Sequence, residues 1–338
     1  MKKAVVIFVS LVLLILFLQT QVAEFSGPSK EPYKVGVLVA NDLRLVKVEA
    51  LKSRLEELGL IEGEGIVYDI RNAENDLSKL AELGKELLVN KADVLVASGA
   101  VEALSLKELT LSQKGDKESP TPVIFMGTLS PSAIGLVEDT AFPGSNLTGL
   151  NNYHYELTPK RLELLHRLLP DLNKVAVLGD SRVPIFEQTQ KELLQGAQEM
   201  GLEISIYTIT NQKEVDEVFG RIEEAKEEAI VLLPGFFLES QTREIVHKAM
   251  ELKIPVFGVY PEDTQDGCLA SYGTSNWNQG NQSANLVYKV LQGQNPTEIP
   301  VETPDQIVFS VNLKTAHYLG IRPSRAVLSL ADEVVGNE

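Results

Sequence analysis

Lys34–Leu58 reads KVGVLVANDLRLVKVEALKSRLEEL. Its first six residues form a short, apolar, β-branched run of the kind that fills a strand buried on both faces. Leu45, Val48, Leu51, Leu55 and Leu58 then recur at spacings of three and four, which places them on one face of a helix. Gly59 ends that helix. The same unit repeats outward. Strand-like Ile66–Ile70 is followed by helical Leu77–Val89, and strand Val94–Ala97 by a helix from Val101 to about Leu111. Val123–Met126 is a fourth strand, reached over a polar loop at 112–121. A second round begins with a helix marked by Leu162, Leu165, Leu168 and Leu169, stopped by Pro170. Strands follow at Val175–Leu178, Glu203–Ile209, Ala229–Leu233 and Pro255–Val259. Between them run helices ending at Gly201, Ala225 and Leu252. Strand–helix alternation implies parallel sheets covered by helices on both faces, and two rounds imply two Rossmann-like α/β lobes.

Parallel α/β sheets bind ligands beyond the carboxyl ends of their strands. In the first lobe those exits carry Asn41, Ser98-Gly99, Gly127-Thr128 and, just beyond, Ser130. In the second they carry Asp180-Ser181, Gly235-Phe236 and Tyr260, and Trp277 is expected near the same mouth. Taken singly, glycine and serine after a strand often only turn the chain or cap a helix. Six exits converging on one cleft make a ligand site the stronger expectation.

The set contains no catalytic constellation. Glu62-Gly63-Glu64-Gly65 precedes a strand instead of following one, and Tyr68 stands where a dinucleotide fingerprint needs its third glycine. Walker and Gly-x-Ser-x-Gly motifs are absent, and Glu223-Glu224 and Glu227-Glu228 read as a solvated helix face. One cysteine, Cys268, forbids an intrachain disulfide, and four scattered histidines give little to a metal. No enzyme activity, cofactor or metal is expected. A net charge of −16 argues against nucleic acid as a partner.

At the N-terminus, Lys2 and Lys3 precede an apolar run from Ala4 to Leu18. This is the layout of an export signal, with a cytoplasmic start and an exported remainder. Two readings stand for 1–23: an uncleaved single-pass anchor, favoured because Gln21 spoils a small-x-small cleavage site, and a cleaved signal peptide. No cysteine follows the run to carry a lipid, and residues 24–32 read as a linker.

Several segments, in order, carry a resemblance. They are Lys34–Leu38, Tyr68–Ala73, Pro122–Phe125, Gly135–Val137, Pro143–Gly149, Ile254–Phe257, Gly267–Gly273, Val311–Lys314 and Leu330–Val335. Pro143-Gly144-Ser145-Asn146-Leu147-Thr148-Gly149 is similar to "P-G-G-N-V-T-G", and Pro122–Phe125 to "I-P-V-V-F". Together they resemble the ABC transporter substrate-binding family that includes tryptophan and tyrosine importer receptors, of type I periplasmic-binding-protein fold. The resemblance implies two lobes joined by crossing hinge strands at Asn146–Leu150 and Ala270–Gly273. Lobe one is then 33–149 plus about 274–305, lobe two 150–273 plus about 306–325, and 326–338 a C-terminal tail. It also implies an extracytoplasmic receptor that closes on a small molecule by a hinge motion and delivers it to an ABC permease in the membrane. The alternative is a sensory ectodomain of the same fold that passes ligand occupancy to a separate signalling partner. The chain departs from the family at Leu129-Ser130-Pro131, where members often carry Thr-Asp-Pro; that aspartate would suit a ligand ammonium group. It departs again at Gly235-Phe236-Phe237, where members are often polar. These aromatics are either core or a stacking surface, and they point to a ligand with an apolar or aromatic part.

Overall fold

The computed structural model describes residues 31–112 and 120–336. The apolar run expected to form an N-terminal helix lies outside the described residues. Among those described, no helix is long and apolar enough to cross a membrane.

The first sheet holds β1 (Tyr33–Val39), β2 (Ile66–Asn72), β3 (Val94–Ala97), β4 (Val123–Thr128) and β5 (Leu147–Asn151). Their order is β2-β1-β3-β4-β5, and every pairing is parallel. Alternate strand residues feed two separate layers, as the pleat requires. Val35, Val37 and Val39 pack under α1 (Leu45–Glu57) and α8 (Asn276–Leu291). Leu38, Leu95 and Phe125 pack under α2 (Leu80–Val89) and α3 (Ala100–Leu111). Strands apolar on both faces therefore need a helix on each side.

The second sheet has seven strands in the order β12-β11-β10-β9-β8-β6-β7. They are β6 (Lys174–Gly179), β7 (Glu203–Thr208), β8 (Ala229–Leu232), β9 (Val256–Gly258), β10 (Ala270–Gly273), β11 (Val308–Asn312) and β12 (Glu333–Val335). Only β10 and β11 pair antiparallel. One face is covered by α6 (Gln212–Ala225) and α7 (Phe236–Glu251). The other is covered by α4 (Thr158–Leu168), α5 (Phe186–Met200) and two short helices, α9 (Leu313–Tyr318) and α10 (Arg325–Leu328).

The chain passes between the lobes three times. The first passage follows β5 and leads into α4. The second differs from expectation: Ala270–Gly273 is not itself a crossing but an inner strand, paired to β9 and β11, and the chain leaves at Thr274-Ser275. The third runs beside β5, where the Glu302 amide donates to the Gly149 carbonyl and its own carbonyl accepts from Asn151, before reaching β11. The stretch expected as a tail folds onto the second sheet, with β12 parallel to β11.

Candidate functional site

The strand exits of both lobes face each other across one cleft. Asn41, after β1, caps a turn of 3-10 helix over Asp42–Arg44 and hands the chain into α1. Its side-chain amide donates across the cleft to the Phe236 carbonyl at 2.8 Å. Ser98 and Gly99, after β3, start α3, and Gly127 and Thr128 end β4. From lobe two come Asp180 after β6, Gly235 and Phe236 at the start of α7, and Tyr260 after β9. Of the expected set, Gly127, Thr128, Gly235, Phe236 and Tyr260 line a cavity between the lobes. That cavity measures about 30 Å³, room for a water or two. The lobes are thus closed on their own side chains.

The centre of the cleft is ionic, which the expected set missed. Arg44, from lobe one, makes a two-pronged contact with Glu239 of α7: Nε to Oε2 at 3.0 Å and Nη2 to Oε1 at 3.1 Å. Its Nη1 also donates to both oxygens of Glu102 at 2.9 and 3.0 Å. Glu102 in turn accepts from the Ala40 amide and the Ser98 hydroxyl. Glu239 accepts from the Tyr260 hydroxyl at 2.6 Å. Burial alone would lower the Arg44 pKa, but Glu102 and Glu239 outweigh it and hold the guanidinium above its ordinary value. Burial likewise works to raise Glu239, and Arg44, Lys47 and Tyr260 reverse this, leaving its carboxyl below the usual value. Tyr260 is pushed well above its usual range, first by burial and then by Glu239.

Lys47 lies beneath. Its ammonium donates to the carbonyls of Ser98 and Met126 and to Gln279 Oε1, at 2.9, 3.0 and 2.8 Å. Burial, with Arg44 adding to it, lowers its pKa to about 7. The Thr128 hydroxyl, beside the cavity, is buried and has no hydrogen-bond partner among the described residues. Two of the glycines are needed for this packing. A Cβ at Gly99 would sit 2.1 Å from Arg44 Nη1, and one at Gly127 would sit 1.9 Å from Gln279 Oε1.

The remaining expected residues fall elsewhere. Asp180 borders the cleft but is held by Arg182, whose Nε and Nη2 reach its two oxygens at 2.9 and 2.8 Å. Ser181 is exposed on the turn after β6. Ser130 turns away, with its hydroxyl on Glu156 at 2.8 Å. Trp277 does not reach the mouth: the first turn of α8 carries it to the outer face of lobe one, beside Lys52, Glu56 and Tyr68, where it is 45% exposed. Phe236 and Phe237 serve as core, and Phe236 also as cleft wall, with the Arg182 guanidinium over both rings at 4.7 and 5.6 Å. The missed Glu102 does carry a signal, a glutamate three positions after the helix-capping Gly99, and Lys47 heads a stripe with Leu51 and Leu55.

Two parallel α/β lobes, three chain crossings and a cleft built from strand exits define a solute receptor of the type I periplasmic-binding-protein class. The chain belongs to the ABC transporter substrate binding protein family, whose model matches residues 34–335. It is 25% identical over 273 residues to a tyrosine-binding protein of Clostridioides difficile, covering 79% of this chain and 74% of that one. A domain from Streptococcus pneumonia in complex with L-Trp superposes with a TM-score of 0.81 at 24% identity, covering 90% of this chain and all of the other. A ligand-free, open substrate binding protein from Clostridium difficile gives 0.65 at 22% identity, over the same 90% of this chain and all of the other. The protein is therefore a substrate-binding protein of an ABC transporter, a receptor and not an enzyme. Nothing in these likenesses supports the sensory alternative. Substrate-binding proteins of ABC importers act outside the cytoplasm.

Proposed function

We propose that the chain captures a small molecule with an apolar or aromatic part and a carboxylate, and passes it to a membrane permease. The observation that carries this reading is the two-sided lining of the cleft. Lobe two offers Val183, Pro184, Phe236 and Tyr260 as an apolar wall. Lobe one offers Arg44, the unpartnered Thr128 hydroxyl and the start of α3 at Ala100 and Val101. A helix N-terminus beside a guanidinium suits an anionic oxygen. The named ligands of relatives, tyrosine and L-Trp, have both parts. Because the closed cavity is far smaller than such a molecule, capture follows opening of the lobes about the crossings. The Ala4–Leu18 run would hold the receptor at the outer membrane face, beside its permease.

Isothermal titration with L-tyrosine, L-tryptophan, L-leucine, indole-3-propanoate and arabinose tests this. Micromolar or tighter binding of at least one aromatic or branched apolar carboxylate is expected. Binding of the sugar alone would overturn the reading.

A further inference from the structure

We propose that Arg44 and Glu239 form a clamp for a zwitterion: Arg44 takes the ligand's anionic group, Glu239 its cationic group, and without ligand each neutralises the other. This rests on the reading above and adds to it the ligand's second charge and the residue that reads it. Ser130, which stands where the family often carries aspartate, has its hydroxyl on Glu156, away from the cavity. Among the described lining residues, Glu239 is the one carboxylate, and it comes from the opposite lobe.

Each half of the clamp is held within its own lobe. Arg44 keeps both oxygens of Glu102 as partners, and Glu239 keeps the Tyr260 hydroxyl. Parting the lobes therefore breaks the Arg44–Glu239 contact, along with the Asn41 bond to the Phe236 carbonyl, and leaves both charged side chains aimed at the gap. Such preorganisation lowers the cost of binding. The charge balance selects the ligand class. Arg44 and Glu239 neutralise each other across the buried cleft, while Glu102 stays on Arg44 within lobe one. A ligand with one charge alone would take one half of that pair and leave the other uncompensated, which a buried site penalises heavily. A zwitterion exchanges the Arg44–Glu239 pair for two new pairs and leaves the balance unchanged. A ligand lacking the ammonium would strand Glu239 in the closed cleft.

The test is titration calorimetry on the full chain with three probes of one ring: L-tyrosine, 3-(4-hydroxyphenyl)propanoate and tyramine, repeated with the tryptophan series. In the unaltered protein, loss of either charged group should weaken binding about 100-fold or more. In Glu239→Gln, the amino acid should weaken by a similar factor while the deamino acid, which no longer strands a carboxylate, should bind at least as tightly as it binds the unaltered protein. Equal affinity of the unaltered protein for amino acid and deamino acid would overturn the clamp, and that measurement needs no variant. So would Glu239→Gln retaining the full discrimination. Tight binding of the aromatic acids with none of the amino acids would overturn the clamp and leave the broader reading standing. Failure of every aromatic and apolar carboxylate would overturn both.

Discussion

Lys47 shows how a residue's pattern can conceal its role. It follows Arg44 by three positions on an amphipathic helix, the usual place for a solvated cation. Yet the chain bends after Asn41 so that this face turns beneath the cleft, and both side chains are buried. Sequence periodicity reports which face is apolar, and it is silent on a cation that buries itself among carbonyls. Lys47 has an ordinary pKa of 10.5 and a folded value of about 7. Below about 7 both states carry the proton, and the full cost of the buried charge is present. Between the two values the unfolded chain holds a proton that the folded chain has shed, so stability rises with pH across that window. Urea unfolding of the unaltered protein and of Lys47→Met should show this. The unaltered protein should gain on the variant by a few kcal/mol, as an order of magnitude, between pH 7 and pH 10. Parallel stability curves would remove Lys47 as the cause.

At the scale of elements, the strands and most helices are legible because their apolar spacing leaves little choice. Helix α8 is the instructive exception. Its docking against α1 is decided by one small residue, since a Cβ on Gly280 would meet the Lys47 carbonyl at 2.0 Å. That contact sets the approach of the two helices, and nothing local in the sequence announces it. The same docking rotates Trp277 outward, which explains why proximity along the chain misplaces it. Helix α7 begins at Phe236, because extended Gly235 serves as its cap and both phenylalanines reach the core from the first turn. Gly280→Ala should therefore push α1 and α8 apart and destabilise the fold by about 1–3 kcal/mol. The denaturant midpoint measures this; a variant as stable as the parent would mean the helices can separate at no cost.

For the whole molecule, the question is what lets two lobes move as units, and Arg161 in α4 gives an answer. It is among the largest fully buried side chains. Its Nε donates to the Tyr272 carbonyl at the end of β10 at 2.8 Å, and Nη1 donates to the His154 carbonyl on the first crossing at 2.7 Å. Its Nη2 lies 2.9 Å from His154 Nδ1. A guanidinium has no acceptor, so Nδ1 must accept and the ring proton sits on Nε2. Burial first, then Arg161 and Lys47, hold His154 well below its usual pKa, so the ring stays neutral in the folded state. One side chain thus ties the first crossing to the strand that leads into the second, on the lobe-two side. That connection was not readable from sequence, where Arg161 is one more cation on a helix whose leucines alone signal burial. The two lobes, by contrast, are readable from the two rounds of strand and helix. Arg161→Met should leave the buried Tyr272 carbonyl without its donor and the His154 carbonyl with only the Thr158 hydroxyl, and cost about 2–4 kcal/mol. The loss should also be local. Hydrogen exchange should quicken at 151–155 and 270–275 while β1, β3, β6 and β8 keep their protection. Uniform quickening across both sheets would show that Arg161 supports the lobes themselves and does not couple the crossings between them.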